Sequence, residues 1–152
     1  GMLSDAMKER IDYIEDPCYY DVNAWQTLQD AGIPLGYDTP VQDERIIPQR
    51  TSKPMMRIVK PARHHSNSGL PVFGSYMDHP LGQCWAAYNA ALFYADKPAE
   101  EIPLCGLVTH HVYRPNPFSE ELGMDITPDF IPPKGTGLGF DNLLASLPWK
   151  KL

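Results

Sequence analysis

The chain has 152 residues, a length that fits one domain, and it is expected to fold as a single domain over 1–152. Its formal net charge of −6 disfavours nonspecific nucleic-acid binding, which needs clustered Lys and Arg on the surface. No apolar run approaches the roughly 18 residues that a membrane span requires, so no membrane partner is expected. Proline is the outlier. Sixteen prolines are about twice the ordinary usage of about 5%, and because proline breaks helix interiors and is tolerated only at strand edges, long regular elements must be few.

The three cysteines, Cys18, Cys84 and Cys105, are an odd set with no C-x-x-C. That excludes a closed disulfide framework and a zinc ribbon and favours a reducing, cytoplasmic setting. No charged-then-apolar leader precedes the first predicted helix, and Gly1 before Met2 reads as a tag-cleavage scar.

In chain order, residues 4–15 read as a helix capped by Ser4 or Asp5, with Met7, Ile11 and Ile14 at helical spacing. A second helix is predicted over 22–31, with Asp21 as N-cap and Gly32 as its stop. The proline-rich stretch 33–54 is expected to be mostly irregular. Short strands are predicted at 55–60 and 72–77, with a polar turn at 64–69 between them. Residues 83–95, QCWAAYNAALFYA, are apolar nearly all round and predict a buried helix. Residues 102–114, IPLCGLVTHHVYR, have the composition and length of a strand. A short strand near 124–131 and a last helix near 140–147 complete the reading. The fold class is α+β: a central buried helix against a small, mostly antiparallel sheet, with Pro-rich loops and helices near both termini.

Cys84 opens the predicted buried helix. There the unpaired N–H groups and the macrodipole lower a thiol's pKa, and the thiolate is the nucleophile. A His downstream can serve as base, and a carboxylate or Asn can orient it. The chain offers His110 or His111, then Asn116, Asp125 or Asp129. Strand periodicity places His110 in phase with Leu104, Val108 and Val112, the more apolar face, which favours His110. The competing reading makes Cys84 a small apolar residue of a buried helix.

Gly82-Gln83-Cys84-Trp85 resembles the nucleophile neighbourhood of papain-like cysteine peptidases and of transglutaminases. The resemblance implies Cys84 as nucleophile, with a His on the following sheet and an Asp or Asn after it. The function expected on this basis is a thiol-dependent hydrolase or acyltransferase acting on an amide of a small-molecule or peptide substrate. Cys84 attacks, His110 is base and then acid, and Asp129 orients His110. The Cys84 backbone N–H and the Gln83 side chain serve as oxyanion donors. A non-catalytic binding or assembly module is the alternative.

A second alternative is a metalloenzyme built on His65, His79 and His111. The sequence has no H-x-H on a predicted strand and no H-x-x-x-H on a predicted helix, so neither a metal nor a cofactor is expected. Two further features stand out. Arg45, Arg50, Lys53, Arg57, Lys60 and Arg63 form a basic strip without Asp or Glu, suited to a phosphate or acidic partner or to a solvated face. Lys134-Gly135-Thr136-Gly137-Leu138-Gly139 precedes the last helix and reads as a flexible turn, or as a phosphate cradle without its standard pattern.

Overall fold

The computed structural model describes residues 3–38, 55–63, 70–123 and 127–151. Its elements run α1 (Asp5–Lys8), β1 (Ile14–Glu15), α2 (Val22–Asp30), β2 (Leu35–Tyr37), β3 (Met56–Val59), β4 (Leu70–Phe73), α3 (Pro80–Tyr94), α4 (Pro117–Leu122) and α5 (Asp141–Ser146). The fold is mixed helix and sheet, as expected. The strands lie in the order β1-β2-β3-β4. The pairings of β1 with β2 and of β2 with β3 are parallel, not antiparallel as expected. The described residues divide into two compact units, 3–38, 55–59 and 70–71 in the first, and 60–63, 72–123 and 127–151 in the second.

In the first unit the predicted helix 4–15 shrinks to one turn. Ile14 and Asp16 donate their backbone N–H groups to the carbonyls of Pro34 and Gly36, so pairing with β2 takes the residues that helical spacing had claimed. A parallel pair needs a crossover between its strands, and α2 supplies it. Asp21 caps α2, its carboxylate accepting from the Ala24 N–H at 2.8 Å. Gly32, at φ +78°, closes the helix: its N–H bonds Gln29 O while the Ile33 N–H bonds Leu28 O, the two bonds of a Schellman motif. Leu28 and Ile33 then pack on the core of Trp25, Leu35, Tyr37 and Met55.

In the second unit α3 starts three residues earlier than predicted, with Pro80 at its first position. It is not buried all round. Pro80, Gln83, Cys84, Ala86, Ala90 and Tyr94 face inward, whereas Tyr88, Leu92 and Phe93 are exposed. The predicted strand 102–114 does not form. Gly106 makes one parallel bridge with Gly74, and His110–Val112 coils into a 3₁₀ turn. Of the predicted strand 124–131, residues 127–131 are irregular and the rest lies outside the described residues.

The helix α4 is an addition to the sequence reading. Asn116 caps it in a reciprocal box with Ser119, and Pro117 fills its first position. The last helix, α5, follows Phe140, which is fully buried and sits at φ +65°. Phe118 and Phe140, 5.1 Å apart, pack with Cys84 into the core of this unit.

This burial pattern sets a contrast within one unit. Phe118→Ala is expected to cost about 3–5 kcal/mol, as for buried Phe generally. Leu92→Ala, at a position 60% exposed, is expected to change stability by no more than about 0.5 kcal/mol. Denaturant melts of the two variants measure both, and a large loss at Leu92 would overturn the assigned helix face.

Candidate functional site

Gln83 is the best-connected polar side chain around the expected site. Its residue is fully buried. Its Oε1 accepts from the backbone N–H groups of Thr109 and His110, both at 3.2 Å, and faces His110 Nδ1 at 3.1 Å. Its Nε2 donates to the Asp78 carbonyl at 3.4 Å. One carboxamide thus ties α3 to the 3₁₀ turn.

The His110 ring continues the chain of contacts, with Nε2 2.6 Å from the Gly123 carbonyl at the end of α4. Both ring nitrogens therefore face protein oxygens. Ser75 Oγ and Thr109 Oγ1 add a hydrogen bond of 2.6 Å across the same segment.

The residues expected to act together have other surroundings and partners than that chemistry needs. Cys84 is the fifth residue of α3, beyond the first turn where the macrodipole acts, and only 4% exposed. Burial pushes its thiol up to about 11 rather than down. His110 is not on a strand, so the periodicity that favoured it does not apply, and its nitrogens are held by Gln83 and Gly123. Gln83 Oε1 is filled by donors and its Nε2 is bound to Asp78 O. Asp129 is exposed and shares a pocket of about 260 Å³ with His110, Val108, Thr127 and Phe130.

The other candidates have structural partners as well. Asn116 is the cap of α4. His79 caps α3, its Nδ1 accepting from the Leu81 N–H at 3.3 Å, and its ring lies edge-on to Phe118. Asp125 and His65 lie outside the described residues. Among the described residues no three His, Cys, Asp or Glu side chains are grouped to hold a metal ion, so His79 and His111 form no site there.

The Gly-rich loop carries its own anion. The Asp141 carboxylate accepts from the Thr136 N–H at 3.0 and 3.1 Å and from its hydroxyl at 3.1 Å, filling the place a phosphate would take. Gly139, at φ +82°, admits no side chain, since a Cβ there would lie 2.6 Å from Pro133 Cγ and 2.9 Å from Pro133 O.

Of the basic strip, Arg45, Arg50 and Lys53 lie outside the described residues. Arg57 lies over the Tyr37 ring at 5.6 Å in the first unit. In the second, Arg63 and Lys60 both lie over Tyr76, at 4.1 and 5.7 Å. The signal that α4 was there to find is Asn-Pro-x-Ser, a cap followed by proline at the first helical position.

A second, apolar cavity of about 520 Å³ lies between α3 and residues 130–138. Phe130 borders both it and the smaller pocket.

No family model matches the chain. An o-succinylbenzoate synthase of Bdellovibrio bacteriovorus is 32% identical to it over 155 aligned residues, which take in 93% of this chain and 45% of that protein. The chain thus spans about half the length of the curated relative it matches.

This similarity overturns the likeness to papain-like peptidases and transglutaminases, which rested on Gly82 to Trp85 alone, and with it the thiol-dependent hydrolase or acyltransferase. The binding-module and metalloenzyme alternatives gain no support from it either. No helix among the described residues is long and apolar enough to cross a membrane.

Two outcomes follow. Gln83→Leu strands one buried and one part-buried backbone N–H group and is expected to lower stability by at least about 2 kcal/mol, read by denaturant melts. Under limiting iodoacetamide at pH 8, exposed Cys18 is expected to label first and Cys84 last. Cys84 labelling should then rise about tenfold per pH unit until its thiolate forms near pH 11. Peptide mass spectrometry measures the order, and Cys84 labelling first at pH 8 would contradict the buried, protonated thiol.

Proposed function

We propose that this chain works in the chemistry its relative is named for, the formation of o-succinylbenzoate, by binding an aromatic dicarboxylate. The observation that carries this reading is the 32% identity over 93% of the chain. The charge distribution supports it. A net charge of −6 repels a dianion from most of the surface, so binding needs local cations. Arg63 and Lys60 over the Tyr76 ring provide two of them beside an aromatic face. A guanidinium held over a ring can still pair with a carboxylate through its edge. In this reading Gln83 and His110 are positioning residues, and Asp129 is the carboxylate on the wall of the smaller pocket.

Titration calorimetry of the protein with o-succinylbenzoate at low salt tests the proposal. Saturable one-site binding is expected, weakened about tenfold or more in Arg63→Gln through loss of a charge-assisted hydrogen bond. Absence of saturable heat would overturn the function, and unchanged affinity in Arg63→Gln would remove the cation pair from the site.

A further inference from the structure

We propose that the cavity between α3 and residues 130–138 is a binding site for an uncharged aromatic molecule of one or two rings, a ligand distinct from the dicarboxylate considered above. Its volume of about 520 Å³ falls within the range of roughly 300–1,000 Å³ typical of small-molecule sites. The space exists because α3 turns small residues toward it: Ala87, Ala90 and Ala91 stand where larger side chains would close it. Facing them, Phe130, Pro132 and Pro133 form a stiff apolar wall, and Tyr88 and Tyr94 add ring surface. Aromatic rings favour such surroundings through offset and edge-to-face contacts.

The polar character of the lining defines the ligand class. Among the described residues no Asp, Glu, Lys, Arg or His borders the cavity. Its polar groups are the phenols of Tyr88 and Tyr94 and the thiols of Cys84 and Cys105. Burial pushes the Cys84 thiol to about 11 and also raises Cys105 and Tyr94, so these three stay protonated and neutral near pH 7. A carboxylate or ammonium entering here would shed its water and meet no counter-charge, which excludes ions. A neutral ring loses nothing of that kind, and a single hydroxyl or carbonyl on it can be met by a phenol or a thiol.

Half-buried Cys105 reports on occupancy, with exposed Cys18 as internal control in the same chain. The full chain is treated with limiting N-ethylmaleimide at pH 8.5, alone and with indole, and the labelling rates of both cysteines are followed by peptide mass spectrometry. Indole is expected to slow Cys105 at least about threefold in a saturable manner and to leave Cys18 unchanged. o-Succinylbenzoate in the same assay is expected to leave Cys105 unprotected. Ala87→Phe, which fills the cavity from α3, is expected to abolish the indole effect while the circular dichroism spectrum stays that of the parent. An unchanged Cys105 rate at saturating indole overturns the site in the parent protein itself, whatever the variant does. Equal protection by the dicarboxylate overturns the uncharged class, and persistent protection in a folded Ala87→Phe protein overturns the location.

Discussion

The carboxamide of Gln83 is the joint of the second unit. Two adjacent backbone N–H groups, those of Thr109 and His110, end on its Oε1, and no water reaches it to take over. Segment 107–113 lacks a strand partner along most of its length, so its backbone donors need an acceptor from elsewhere. Gln83 supplies that acceptor from the inward face of α3, and His110 passes the connection on to the Gly123 carbonyl. The 3₁₀ turn, the end of α4 and the first half of α3 are thereby held as one block. A side chain that reads as an oxyanion donor in sequence is a structural acceptor in the fold.

The same burial explains why the thiol chemistry fails. A helix start lowers a thiol's pKa only within its first turn, and Pro80 moves that turn ahead of Cys84. What remains is desolvation, which favours the neutral thiol. Cys84 then serves two surfaces. It packs with Phe118 and Phe140, and it forms part of the lining of the apolar cavity. The glycine loop shows a comparable substitution of roles, since the Asp141 carboxylate occupies the donors that an external anion would need.

These features bear on the link to an o-succinylbenzoate synthase. The pockets of the second unit differ in kind: one carries His110, Thr127 and Asp129, the other only neutral groups. The aromatic-cation contacts at Tyr76 come from Lys60 and Arg63, the described part of the basic strip that belongs to the second unit. Under the proposed function and the proposed aromatic site, charge recognition and apolar recognition fall to separate residues, which lets each be removed without the other.

Local signals in the sequence determined what short-range physics decides. Asp21 and Gly32 bounded α2 because a side-chain acceptor and a positive φ act within a few residues of the helix end. The helical character of residues 83–94 and the strand at 56–59 were legible from composition and periodicity in the same way. The tertiary structure alone decided the rest. Ile14 left its helical pattern because Pro34 and Gly36 offered carbonyls to that stretch of chain. Residues 102–114 had strand composition but only one bridge to pair with, so they coiled at His110. Tyr88, Leu92 and Phe93 became surface and Gln83 became core because burial depends on which face meets a neighbour, and an apolar run does not encode that choice.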